Sequence, residues 1–484
     1  MIAGFPAAYA LDRHERKRMP VRKLISLLLA ALMLFGSASA EALFIPETEW
    51  QWDAVPLEIT LSADVQTHMP FDENRTAQLN NLLKHISLRL YIQQSGDEAW
   101  SSVELLTDGA QAAEIRLRQT GNETEAQFSV MRDSSFRWTK ESGVSLPELL
   151  GGDKTAYTVP EIDPDLPADA LALFESMVQS MPEYLTDKAH EANISGMGKA
   201  VRKQTLTIPS AQADGLGVRL ASLCPEGRLR NLLESTVYAG KQTLMLWRGA
   251  DGSVYRVEWT GQAGASTDDL RKVSLVWRLR HTDRELVDEI TLKTPKVKGS
   301  GRNNLQLERR LIPGEYLLLT VKTGVLSGGE KSSQTLSADL KRRMTDGGAL
   351  IEGEASIEYT VPDSDMEQKL VLRPEIMLTG SAEAPALSGK TGVTVYSGKN
   401  PVEQAELDIS VRPSGWLLWE LRPDVTQVTE DNLPALAQTI TGHLTVDVVR
   451  RMVLLPQEDT LFISDGLDPV VWNQIVEAAR SALQ

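Results

Sequence analysis

The residues able to do chemistry are few and badly placed for it. Five histidines follow position 40, at His68, His85, His190, His281 and His443, and none has the paired spacing of a zinc site such as His-Glu-x-x-His. Each reads as a surface or hydrogen-bonding histidine, so no metal ligands are predicted. The single cysteine, Cys224, sits in Ser222-Leu223-Cys224-Pro225 with no neighbouring base to favour its thiolate, and reads as a small buried apolar side chain. Ser195-Gly196-Met197-Gly198-Lys199 lacks the leading glycine of a nucleophile elbow, which leaves a loop. Ser388-Gly389-Lys390-Thr391 copies the end of a phosphate loop, but Ala384 stands where the upstream glycine is needed. The pairs Asp163/Asp165 and Asp363/Asp365 have the spacing that opens a calcium loop without the glycine and terminal glutamate that complete it, so turns and helix capping are expected there. No catalytic residue and no cofactor is predicted. Paired carboxylates for glycoside hydrolysis are usually distant in sequence, and on them the sequence is silent.

Two groups could bind rather than react. Trp50 and Trp52 lie two apart, and Trp416 and Trp419 flank two leucines; exposed tryptophans on a sheet stack on sugar rings, buried ones fill a core. Lys293, Lys296, Lys298, Arg302, Arg309 and Arg310 crowd one stretch, read here as a solvated loop and strand face rather than an anion site. The rest of the chain is acidic. Its 50 Lys+Arg and 66 Asp+Glu give −16 overall, and the part beyond residue 40 carries −20. Such a charge repels phosphate backbones, so no nucleic-acid partner is expected.

The elements that must position these residues are mostly strands. Apolar and polar residues alternate at Ile86-Leu88-Leu90-Ile92, Ala126-Phe128-Val130, Tyr255-Val257-Trp259, Val273-Leu275-Trp277-Leu279, Ala355-Ile357-Tyr359-Val361 and Leu407-Ile409-Val411. One buried and one wet face marks antiparallel sheet. Asp108-Gly109, Asp251-Gly252 and Asp346-Gly347 punctuate these runs as hairpin turns. Helical spacing appears from Asp165 to Leu185, in shorter stretches after Pro209 and after Pro225 (the latter ending near Gly240), from about Asp431 into the 440s or 450s, and from Asp468 along the stripe Val471, Ile475, Ala479 and Leu483.

Residues 1–40 read as a signal peptide. A basic start leads into the apolar run Leu24 to Phe35 and the small-residue segment Gly36-Ser37-Ala38-Ser39-Ala40, which predicts cleavage between Ala40 and Glu41, with Met19 as the start of a leader of ordinary length. No later stretch reaches the ~20 apolar residues of a membrane helix, so no transmembrane segment is expected after cleavage. The predicted address is the cell envelope or the exterior.

The predicted fold class is α+β, with antiparallel, hairpin-linked curved sheets packed against amphipathic helices in two related modules. The boundaries are 41–195 for a first β-rich module with a helix, 196–425 for a second, and 426–484 for a C-terminal helical segment. An echo between Asn80 to Leu90 and Asp268 to Leu279 motivates the pairing. An exported chain of this make-up resembles the half-barrel envelope proteins typified by the LolA and LppX lipoprotein carriers, over about residues 54–190 and 200–415. The resemblance is architectural and has no shared motif. It implies a concave apolar face that holds an acyl chain. Three function classes stay open: a non-catalytic binder of lipid or another apolar ligand, an envelope protein or cell-wall interaction module, and a secreted hydrolase.

Overall fold

A computed structural model describes residues 56–477 apart from internal stretches, the longest being 152–165, 361–366 and 416–423. Its strands form one ladder whose order departs from chain order at two places. β1 (Leu57–His68) pairs on one side with β2 (Ile86–Ser95) and on the other with β19 (Asn400–Pro413). From β2 the ladder runs by hairpins through β3 (Glu98–Thr107), β4 (Ala110–Thr120), β5 (Glu123–Phe128) and β6 (Ser134–Thr139), and β20 (Asp424–Gln427) joins β6 in parallel. In the other direction β19 leads back through β18 (Ala384–Ser397), β17 (Glu367–Ser381), β16 (Gly348–Thr360), β15 (Glu330–Thr345), β14 (Tyr316–Ser327), β13 (Arg302–Ile312) and β12 (Leu286–Pro295). It ends in β11 (Arg271–His281), β10 (Val254–Gly264), β9 (Val237–Arg248), β8 (Gly198–Ile208) and β7 (Leu185–Ile194).

This corrects the expected α+β class. The described residues are mostly β, 59% in strands against 22% in helices, and the two expected sheets are one sheet of 20 strands. Period-two alternation reports which face of a strand is buried, never which distant strand lies beside it, and the β1–β19 seam joins segments 354 positions apart at Glu58 and Arg412. The echo that suggested related modules falls in unlike settings. Asn80 belongs to α1 (Glu73–Leu83), where its amide clamps the backbone N–H and C=O of Val65 at 2.8 and 2.6 Å beside a bulge in β1. Its counterpart region, Asp268 and Asp269, is a turn.

The hairpins follow turn chemistry in two of three predicted places. Asp108 and Gly109 both take positive φ, 49° and 76°, as a two-residue primed turn demands, and Gly252 takes 87°. At Asp346-Gly347 the positive φ falls one residue later, on Gly348 at 138°.

Helices lie against the two ends of the ladder, and α1 lies against β1 between them. α3 (Leu166–Ser180) buries Leu173, Phe174, Met177 and Val178 against β8–β11, with the Phe174 ring edge-on to Trp259 at 5.7 Å and to Trp277 at 6.4 Å. α4 (Leu216–Ala221) and α5 (Arg228–Glu234) complete that core. At the other end α2 (Leu146–Leu149) and α6 (Leu433–Met452) pack Leu149 and Ile440 onto Phe128, Phe136 and Trp138. A short α7 (Leu461–Ser464) lies against α1, where the Phe462 ring meets Phe71 edge-on at 5.5 Å. No described helix is long and apolar enough to cross a membrane.

Candidate functional site: an apolar wall with a buried ionic cluster

The registers line up one apolar face along nearly the whole ladder. Leu246, Val257, Trp277, Ile290, Leu307, Val321, Leu336, Ile357, Leu370 and Val395 are successive cross-strand neighbours from β9 to β18. On the same face a second row runs Ala349, Leu378, Leu387, Val411, Ile59, Leu90, Val103, Ile115 and Phe128, from β16 across the seam to β5. A single odd-residue slip anywhere would turn a strand inside out, so the continuity of these rows fixes the register of the ladder.

The helices of the two ends pack on this face, and the stretch between them differs. Among the described residues, the apolar clusters formed by β12–β19, β1 and β2 consist of strand residues alone. Some are buried, as Leu336 and Ile357, and Leu311 and Leu372 fully so. Others on β12–β14 are only half-buried: Ile290, Leu292, Leu305, Leu307, Leu317 and Leu319. Ten strands at ~4.8 Å spacing make this wall about 43 Å across. The opposite face is polar, with Glu289, Gln306, Glu308, Lys322 and Glu358 in the alternate positions.

Where the helix-covered core meets the wall, charged groups are set into the apolar face. Asp288 is fully buried, in phase with Leu286, Ile290 and Leu292. Its Oδ1 accepts from the Trp277 indole at 2.9 Å and meets His281 Nε2 at 2.8 Å, while Oδ2 accepts from Arg309 Nε and Nη2 at 2.8 and 2.6 Å. Burial pushes the Asp288 carboxyl up, but the hydrogen bond from His281 and the nearby Arg309 charge outweigh it and hold it below the ordinary carboxylate range. Every lone-pair direction of this carboxylate has a partner, which suits a structural ion pair rather than a base waiting for a proton.

A second ionic junction ties the C-terminal helical segment to the sheet. His85, just past α1, places Nδ1 2.6 Å from Asp108 in the β3–β4 turn and Nε2 2.9 Å from Asp459, which also receives Lys84 Nζ at 2.7 Å. The Asp108 hydrogen bond raises the His85 pKa above its ordinary 6.5, against the lowering effect of burial, and Asp459 adds to the rise.

The residues singled out in the sequence scatter. Trp50, Trp52, Trp416 and Trp419, the cleavage site Ala40/Glu41, Lys298, Asp163, Asp165, Asp363 and Asp365 lie outside the described residues. Cys224 is buried in the α3–α5 core, where loss of solvent pushes its thiol up and disfavours the thiolate. Ser195 and Gly196 form the β7–β8 turn, and Ser388 to Thr391 lie inside β18, where a phosphate cradle has no loop to form in. His68, His190 and His443 sit on β1, β7 and α6, apart from one another in the fold's elements, and no metal-ligating cluster occurs among the described residues. The basic run divides: Lys296 pairs with Asp269 at 3.2 Å, Arg309 with Asp288, and Arg310 with Glu285 at 2.6 Å. Asp288 and Arg309 as a pair were not predicted. The signal for them was phase, since each polar residue occupies an apolar position of its own strand.

No family model matches the chain, and no curated protein matches it. Solved structures similar to it include OmpT, an outer membrane protein of Vibrio cholerae, at 8% identity and TM-score 0.23 over 74% of this chain and 96% of that one. OpdQ of Pseudomonas aeruginosa aligns at 7% identity and TM-score 0.25 over 75% and 97%. The transferrin binding protein B of Haemophilus parasuis aligns at 8% identity and TM-score 0.11 over 74% and 76%.

Proposed function

We propose that this chain is an exported, non-catalytic protein of the bacterial cell envelope that binds an acyl-bearing ligand along its apolar wall. One observation carries the reading: leucines of β12–β14 stay half-buried in the middle of an apolar face whose two ends are closed by helices. An apolar surface left open between covered flanks is what a binder of hydrocarbon needs, because each CH₂ removed from water there contributes ~0.8 kcal/mol. The leader-like residues 1–40 supply the address. The sheet edge offers less. β7 is largely exposed and bears Asp187, Lys188, His190 and Glu191, charges of the kind that discourage strand addition.

The test is to purify the mature chain from envelope fractions, extract it with organic solvent and analyse the extract for lipid, alongside titration with a fluorescent fatty acid. Bound acyl lipid, and a loss of probe affinity of tenfold or more in Leu307→Lys/Leu319→Lys, support the reading. A lipid-free protein that also ignores the probe refutes it.

A further inference from the structure

The polar side of β12–β14 contains a site of its own. A cavity of about 360 Å³ opens there, its lining including Thr291, Lys293, Asn304, Gln306, Lys322 and Gly324. The register makes these two adjacent rows on one face: Lys293 opposite Asn304 opposite Gly324, and Thr291 opposite Gln306 opposite Lys322. The lysines therefore occupy diagonal corners, with two amides between them and a hydroxyl at a third corner. At the fourth, Gly324 leaves the floor open, since a Cβ there would meet nothing closer than the Ser332 carbonyl oxygen at 4.0 Å.

In a chain of net −16, the nearby cations Lys296, Arg309 and Arg310 are each neutralised by a carboxylate and Arg278 takes Glu289 at 2.8 Å, whereas Lys272 and Arg302, exposed on the same face, have no ion pair among the described residues. Among the described residues Lys293 and Lys322 form no ion pair, although Glu308 stands diagonal to Lys322 on the same face. Two flexible ammonium groups suit a compact anion with several oxygens, which each meets as a point charge. Asn304, Gln306 and Thr291 can both donate to and accept from hydroxyl groups.

We propose that this cavity binds a glycerol-phosphate-type unit, a phosphate held between Lys293 and Lys322 with polyol hydroxyls on the two amides and Thr291. The unit can belong to a phospholipid headgroup or to a wall polymer, and the proposal stands on the polar face independently of the acyl reading. The experiment uses the full mature chain with glycerol 3-phosphate, poly(glycerol phosphate), inorganic phosphate, and vesicles of phosphatidylglycerol or phosphatidylcholine, followed by calorimetry and sedimentation. Lys293→Gln/Lys322→Gln should weaken glycerol-phosphate binding at least tenfold, and Lys293→Arg/Lys322→Arg should restore most of it. Both lysines are exposed, so circular dichroism should show an unchanged sheet. Binding of the polymer alone supports the proposal with a wall source, and binding of phosphatidylglycerol vesicles alone supports it with a headgroup source. Leu307→Lys/Leu319→Lys should leave either signal intact, which separates this site from the acyl wall. Inorganic phosphate binding as tightly as glycerol 3-phosphate, no binding to any probe, or binding indifferent to Lys293→Gln/Lys322→Gln overturns it.

Discussion

Replacing Asp288 by alanine should be among the most damaging single changes on the apolar face. The carboxylate is fully buried and accepts two hydrogen bonds from Arg309 and one from Trp277, besides its contact with His281. Removing it leaves an Arg309 guanidinium only 11% exposed without its counter-charge and orphans a buried indole N–H. Breaking one side of a buried pair costs about 3–5 kcal/mol, most of it the penalty on the charge left behind. The double replacement Asp288→Leu/Arg309→Leu removes both charges from the apolar row and should be less destabilised than Asp288→Ala by about 2 kcal/mol or more. Urea unfolding read by tryptophan fluorescence gives both values, since Trp277 sits in the cluster itself. Acid offers a further check. With the folded carboxyl held below its ordinary value, its contribution is fully present above about pH 4 and is lost as pH falls through the folded value, so the gap between the parent chain and Asp288→Asn should close in that lower window. An Asp288→Ala protein within about 1 kcal/mol of the parent, or a double variant as weak as the single one, would refute the reasoning from desolvation.

Other expectations follow from the same structure. At the C-terminal junction the raised His85 pKa means that its stabilising contribution is full below pH 6.5 and is lost as pH rises through the folded value, so cleavage within residues 457–464 by a pH-tolerant protease should accelerate across that window. Asp459→Asn should flatten the profile; an unchanged profile would mean that Lys84 and the Phe71–Phe462 contact hold the segment instead. Gly353→Ala should cost about 1–3 kcal/mol, because φ is +147° and the added Cβ would lie 2.1 Å from the Asp339 carbonyl oxygen. Gly347→Ala, with open space around it, is the control and should be close to neutral.

Much of the ladder was legible in the sequence because burial on one face leaves a period of two. The alternation at Ile86–Ile92 and Val273–Leu279 marks β2 and β11, and Asp108-Gly109 turns as its residue types demand. The helix expected from Asp165 to Leu185 runs Leu166–Ser180, with Leu185 already opening β7, and the one expected from about Asp431 runs Leu433–Met452. What stayed illegible is long-range. Nothing local in Leu57–His68 says that its neighbour is Asn400–Pro413, and nothing in Lys322 says that it lies diagonal to Lys293 two strands away. The ionic cluster was half-legible: Asp288 and Arg309 interrupt apolar phases, a sign of burial with a partner, but the partner comes from register.

The β1–β19 seam has a kinetic consequence. A chain made from its N-terminus presents β1 early, and one side of that strand finds β2 across a short loop-and-helix connection. The other side keeps its backbone donors and acceptors open until β19 exists, then closes over pairings from Leu57↔Pro413 to His68↔Glu403. Pairing across so long a separation is slow, and an open strand edge meanwhile is a template for another copy. The seam is therefore the last zipper to shut and the place where two chains at high concentration would exchange strands. Folding yield should fall with protein concentration, and a chain ending before residue 400 should aggregate through the waiting edge of β1.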